Sequence, residues 1–221
     1  KNHTRQIEIN NDSASLASDK WRASLGKFKY KNVNGDTIVN ENDKTIIGNP
    51  HPDFTYSLDF NFTWKNWELN LFFVGSQGND VYNYVKYWTD FAGSFIGNRS
   101  KKILTDSWEF GKGDTPLPIL DINSHECNYS TSYYVEDGSF LRCKNVQLSY
   151  NLPKSLLGKI GVDNMKVYGQ VTNLFTITKY TGLDPDVGSL YLGGGGDWQR
   201  GLDYGAYPQP RAVIFGAMIN F

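Results

Sequence analysis

Oxygen-bearing side chains recur at short intervals between Asn32 and Asp43, and this is the stretch whose spacing best suits a definite chemistry. Over twelve residues, Asn32, Asn34, Asp36, Asn40 and Asp43 stand at positions 1, 3, 5, 9 and 12. Calcium takes about six to eight oxygens, and a loop offering them at alternate residues can wrap the ion. The charge is low: only Asp36 and Asp43 are acidic, Thr37 stands at position 6 where Gly makes the sharp turn, and position 12 lacks a bidentate Glu. The set therefore predicts weak calcium binding or, alternatively, an Asn/Asp/Gly turn whose side chains hydrogen-bond their own backbone. Catalysis finds less support. The three histidines show neither metal-ligand nor triad spacing, and Asp184 and Asp186 beside Pro185 read as loop turns, so no enzyme is expected. Gly193-Gly194-Gly195-Gly196 follows no strand pattern and makes a poor phosphate cradle. Cys127 and Cys143 could form one bridge in an oxidising compartment or both stay free.

The elements that must position these residues are strands. Aromatic residues make up 15% of the chain, with 14 Tyr, 13 Phe and 6 Trp beside 22 Gly, a profile that strands and aromatic girdles would give. A net charge of -1 and the lack of a Lys/Arg block argue against a nucleic-acid partner. No run of 18 apolar residues exists, so no transmembrane helix is expected, yet alternating barrel strands leave no such run. The mean hydropathy of -0.48 is compatible with either.

Period-two alternation is sharpest from Phe54 to Trp64, where Phe54, Tyr56, Leu58, Phe60, Phe62 and Trp64 share one face and Thr55, Ser57, Asp59, Asn61 and Thr63 the other. A two-residue break, Lys65-Asn66, leads to a second run over 67–75, and the two read as a hairpin. Each strand is about as long as the ~9–11 residues that cross a bilayer when tilted. Trp64 and Trp67 flank the turn, where a barrel places its aromatic girdle. A third strand spans 139–151, with Phe140, Arg142, Lys144, Val146, Leu148 and Tyr150 on one face; a fourth spans 164–173 and a fifth 211–221. The fifth places Val213, Phe215, Ala217, Ile219 and Phe221 on one surface and ends on an aromatic residue. That ending is similar to the closing strand of outer-membrane barrels; an ordinary sandwich strand is the alternative.

Residues 1–53 read as a polar loop region with the Asn/Asp-rich turn, and 54–221 as strands joined through long segments at 75–137 and 174–210. A short helix is expected after Asn79-Asp80, and Trp108, Tyr129, Tyr133 and Tyr134 either fill a small local core or stack on sugar rings. If Phe221 faces the periplasm, both long loops fall outside and both shorter turns inside, the parity of an outer-membrane barrel. The start at Lys1-Asn2-His3-Thr4 has neither an initiator Met nor a signal pattern, which suggests a removed signal or a fragment of a longer protein.

Several ordered motifs carry a resemblance. They are Ile46-Ile47-Gly48-Asn49-Pro50-His51-Pro52-Asp53-Phe54 after the Asn-Gly-Asp loop, Gly78-Asn79-Asp80-Val81-Tyr82-Asn83, and Tyr134-Val135-Glu136-Asp137-Gly138-Ser139-Phe140-Leu141-Arg142 with Lys144-Asn145-Val146. Asn173-Leu174-Phe175-Thr176-Ile177-Thr178-Lys179-Tyr180, Gly182-Leu183-Asp184-Pro185 and Tyr207-Pro208-Gln209-Pro210-Arg211 complete the set. Over residues 25–221 the chain resembles the C-terminal part of the SusC/RagA-type TonB-dependent outer-membrane transporters of Bacteroidetes. It departs from that pattern at Cys143, a position usually filled by Leu, and in the reduced acidity of the Asn-Gly-Asp loop.

The resemblance implies an all-β, antiparallel up-and-down transmembrane β-barrel of about 22 strands, of which this chain supplies roughly the last five or more. It implies uptake of oligosaccharides or peptides, energised through TonB, beneath a SusD-like lipoprotein lid, in the bacterial outer membrane. The plug domain, the upstream strands and the TonB contact would lie elsewhere in the same transporter. On this reading Asp59, Asn61, Gln147 and Gln170 face a wet lumen. The alternative is a surface or secreted β-sandwich that binds glycans through exposed aromatics.

Overall fold

The computed structural model describes residues 7–9, 26–36, 38–94, 96–109, 115–124, 126–158, 161–188 and 199–220. Thr37, Gly193–Gly196 and the terminal Phe221 lie outside the described residues. Among the described residues the strands are, in chain order, β1 (Ile7–Ile9), β2 (Phe28–Tyr30), β3 (Phe54–Trp64), β4 (Trp67–Gln77), β5 (Asp80–Asn83), β6 (Val135–Asp137), β7 (Phe140–Asn151), β8 (Asn164–Thr178), β9 (Leu202–Asp203) and β10 (Ala212–Asn220). Three short helices, α1 (Val85–Thr89), α2 (Lys102–Asp106) and α3 (Lys154–Leu157), lie among the described residues. The chain divides into two compact units, one built from residues 51–79, 137–186 and 206–221, the other from 1–50, 80–136 and 187–205.

The first unit holds a five-stranded sheet in the order β10-β8-β7-β4-β3, antiparallel at every junction. Long strands without an internal Pro, alternating apolar with polar residues, produce it. The β3–β4 hairpin closes on Lys65-Asn66 with Lys65 at φ 54°, in the left-handed region that two-residue hairpin turns use. Residues opposite each other share a face, so the register can be followed across all five strands. Phe62, Leu69, Leu148, Gly169 and Phe215 form one apolar row; Phe60, Leu71, Val146, Val171 and Val213 form the next. Both rows lie on the same side. That side is open, with Trp64 67% and Phe215 81% exposed, so the Phe54-to-Trp64 row is not sandwiched inside a two-sheet core.

Strand β7 departs from the even alternation expected for it. Its pairing with β4 shifts between Phe72 and Phe73, leaving Lys144 as an extra residue, and its pairing with β8 shifts at the same place. A bulge of this kind reverses which face the following side chains occupy. Leu141 and Cys143, not Phe140 and Arg142, therefore continue the apolar side set by Val146, Leu148 and Tyr150, and Phe140 and Arg142 lie on the polar side. The fourth strand likewise runs past the expected end at 173, to Thr178, through Asn173 at φ 50°. That left-handed residue interrupts the strand signal without ending the strand.

The second unit carries the sheet β6-β5-β9 and the pair β1–β2. Its core is largely aromatic: Phe28, Tyr30, Val39, Phe91, Cys127 and Tyr134 are buried, with Tyr82, Tyr87, Tyr129 and Tyr133 packed against them. Phe28 and Phe91 meet edge to face at 5.9 Å, the arrangement ring quadrupoles favour. Tyr134 and Trp108 are buried and Tyr129 and Tyr133 pack on the core, so of the two roles open to these residues the structure shows local packing. Gly26, at φ 79°, lies so close to the Trp108 ring that a Cβ there would stand 2.4 Å from a ring carbon. Cys127 and Cys143 are both buried free thiols.

Candidate functional site

The polar side of the sheet is a hydrogen-bonded surface. Asn61, Asn70, Gln147 and Gln170 stand opposite one another across four strands, and Asp59 lies two residues from Asn61 on the same face. The structure thus brings Asp59, Asn61, Gln147 and Gln170 onto one side. Asn70 Nδ2 donates to Asp59 Oδ1 at 2.7 Å and to Asn61 Oδ1 at 2.8 Å, and Asn145 Nδ2 donates to Asn70 Oδ1 at 2.9 Å. Nearer the β3–β4 turn, Lys166 pairs with Glu68, which also accepts from Asn151 Nδ2 at 2.7 Å. Carboxamides offer donor and acceptor together, so such a surface is wetted by water or by a polar solute, and it is poorly suited to hydrocarbon.

At the bulged end of this face sits a residue that sequence reasoning missed in its role. Arg142 is 2% exposed. Its guanidinium pairs with Asp184, reaches Asp186 Oδ2 at 3.4 Å and donates through Nε to Thr176 Oγ1 at 3.0 Å. The Phe140 ring lies 5.2 Å below its Cζ, within cation–π range. Asp184 is saturated in turn: its Oδ1 accepts the Asp186 N–H at 2.9 Å and its Oδ2 the Gln209 N–H at 3.0 Å. Burial alone would raise the Asp184 carboxyl, but the Gln209 and Asp186 N–H groups and the Arg142 guanidinium together hold it below the usual carboxylate range. The cluster fastens the Gly182-Leu183-Asp184-Pro185 and Tyr207-Pro208-Gln209-Pro210-Arg211 segments to the sheet, a physical role for two motifs that otherwise look like punctuation. The available signal was the parity of the apolar residues: Leu141 and Cys143 are odd-numbered, Val146 and Leu148 even-numbered, a switch that implies one extra residue between them.

The Asn/Asp loop uses its oxygens on its own backbone. Asp43 is fully buried and accepts N–H groups from Val33 at 2.8 Å, Asn34 at 3.4 Å and Asn40 at 2.7 Å. Asp36 Oδ1 accepts from the Ile38 N–H, Asn34 Oδ1 from the Asp36 N–H, Asn32 Oδ1 from the Gly35 N–H and Asn40 Oδ1 from the Asn42 N–H. The five side chains are near one another in the chain, but their acceptors point at amides and not at a common centre. Among the described residues no group of three or more His, Cys, Asp or Glu could hold a metal ion. As they stand, these oxygens are engaged by the loop's own amides, the arrangement of the Asn/Asp/Gly turn.

An up-and-down antiparallel sheet with one open apolar face and one laced polar face has the construction of a membrane β-barrel wall. No family model matches the chain. Among curated proteins, it is 34% identical over 212 residues to TonB-dependent receptor P3 of Formosa agariphila, covering 95% of this chain and 20% of that protein. It is 30% identical over 191 residues to TonB-dependent receptor SusC of Bacteroides thetaiotaomicron, covering 85% of this chain and 17% of that one. Among solved structures, a chain of the RagAB peptide transporter superposes with a TM-score of 0.76 at 24% identity, over 99% of this chain and 22% of its own length. The chain is homologous to part of the TonB-dependent receptors, SusC among them, and it spans about a fifth of the curated relatives it matches.

Proposed function

We propose that this chain supplies C-terminal wall strands, five of about 22, to an outer-membrane importer that takes up oligosaccharides or peptides with energy delivered through TonB. The observation that carries this reading is the two-sided sheet, which meets hydrocarbon with its aromatic rows and a wet lumen with Asp59, Asn61, Gln147 and Gln170. The segments 78–139 and 179–211, between the long strands, then lie outside the cell, where a SusD-like lipoprotein would cover them. The plug, the remaining strands and the TonB contact belong to the rest of the transporter. Homology to SusC and the shared fold with a chain of a peptide transporter support the assignment and leave the cargo between two classes.

The test uses the full-length protein. It is expected in the outer-membrane fraction, with unboiled samples migrating faster than boiled ones, and labelled oligosaccharide or oligopeptide uptake should stop when the proton-motive force is collapsed. Recovery as a folded protein in detergent-free buffer would overturn the reading.

A further inference from the structure

Strand β8 outruns one of its two neighbours. β10 pairs with it only as far as Ala212 opposite Thr172, whereas β7 stays paired up to Thr178. From Leu174 to Thr178, alternate main-chain N–H and C=O groups on the side away from β7 thus have no strand beside them among the described residues.

The described segment that approaches this edge, Pro208 to Arg211, makes no main-chain hydrogen bond to it. Pro208 and Pro210 have no N–H to donate. The Gln209 N–H between them is already given to Asp184 Oδ2, and the Pro210 C=O accepts from Asn173 Nδ2 at 2.9 Å. The segment is held beside β8 without pairing, leaving a cleft of about 330 Å³ whose lining includes Asn173, Phe175, Thr176, Thr178 and Arg211. Asn173 Oδ1 is buried there without a hydrogen-bond partner in the structure. Arg142 also lines the cleft, but its guanidinium is committed to Asp184, Asp186 and Thr176. Arg211 is exposed, and by register it adjoins the end of the cleft where β10 pairing begins.

We propose that this edge captures an extended peptide, which adds to β8 as a short strand of about five residues and sets a carboxylate against Arg211. Main-chain hydrogen bonds supply the recognition, so the ligand must be a peptide strand and not a sugar. Phe175 and Ile177 on one side of β8, with Thr176 and Thr178 on the other, meet its alternate side chains. The inference does not depend on the transport reading, since an open edge captures a strand whether or not anything crosses the membrane.

The experiment is amide hydrogen exchange across residues 173–180 of the full-length receptor in detergent, with an acetylated Val-Thr-Val-Thr-Glu peptide as probe. Alternate amides of Leu174–Thr178 should exchange fast in the free receptor and slow at least roughly tenfold with peptide, as unpaired groups gain partners. The same peptide N-methylated at alternate residues should bind at least roughly tenfold more weakly, and Arg211→Gln should cost the free-acid peptide a similar factor. The double variant Pro208→Ala/Pro210→Ala supplies two donors for β8 C=O groups, so that the receptor's own chain competes for the edge, and should lower peptide affinity. Equal binding of the methylated peptide, no protection at millimolar peptide, or unchanged affinity in the proline variant would overturn the proposal. Slow exchange of every amide in the free receptor would overturn it too, because the receptor's own chain would then occupy the edge.

Discussion

Arg142 and Asp184 form an ion pair in which neither partner reaches solvent: the arginine is 2% and the aspartate 7% exposed, and 42 residues of chain separate them. Breaking a buried pair strands a charge, so Asp184→Leu is expected to destabilise the protein by about 3–5 kcal/mol. Arg142→Met combined with Asp184→Leu should recover much of that loss, since neither charge is then left alone. Thermal melting of the full-length receptor, with trypsin cleavage at Lys179 as a local readout, checks both variants. Equal melting of Asp184→Leu and the wild type would contradict the role given to the pair.

The same cluster predicts a pH dependence. Because the Asp184 carboxyl lies below its ordinary range when folded, the ionised form stabilises the folded state above the unfolded value of about 4 and the benefit disappears as pH falls through the lower, folded value. The segments around Asp184 and Gln209 should therefore stay protected from pH 8 down to about 5 and loosen only below about 4. Hydrogen exchange across that range, corrected for the pH dependence of the intrinsic rate, measures it. Loosening that begins near pH 6 would point to a different titrating group.

The two faces of β3 should respond oppositely to charge. Phe60→Lys places a cation on the proposed lipid side, where the cost is roughly 2–4 kcal/mol near the bilayer midplane and falls toward the interfaces. Asn61→Lys, one residue along, should cost far less. Yield of heat-modifiable receptor in the outer membrane compares them, and equal yields would argue against a lipid-facing aromatic row.

In the Asn/Asp loop, Asp43→Ala removes the acceptor of three backbone N–H groups and is expected to destabilise that unit by about 1–3 kcal/mol. Calcium at about 10⁻³ M, the level at which weak extracellular sites fill, should leave the melting temperature of the wild type unchanged. A calcium-dependent rise abolished by Asp43→Ala would favour the cation reading over the turn.

The hairpin was legible from the sequence because its alternation is uninterrupted from Phe54 to Trp64, and a face that must meet one medium along its whole length leaves a period-two record. The bulge was not, because one additional residue at Lys144 changes parity without any Gly or Pro to announce it, and this hid the burial of Arg142. The continuation of β8 was obscured by a left-handed Asn173, which reads as a stop. The aromatic core of the other unit was visible only in part, through Trp108, Tyr129, Tyr133 and Tyr134. Phe28 meets Phe91 and Tyr133 across more than sixty residues, and no local pattern records such contacts. Within the loop, the same Asn and Asp spacing serves a turn or an ion equally well, and only the directions of the carboxylates separate the two.

The most direct test of the membrane-wall assignment is nitroxide accessibility in the full-length receptor reconstituted in bilayers, with labels placed singly at Phe60 and Asn61. Relaxation of the Phe60 label is expected to respond to oxygen and not to a water-soluble nickel complex, while that of the Asn61 label responds to nickel. Nickel access at Phe60, or the same response at both sites, would contradict the assignment.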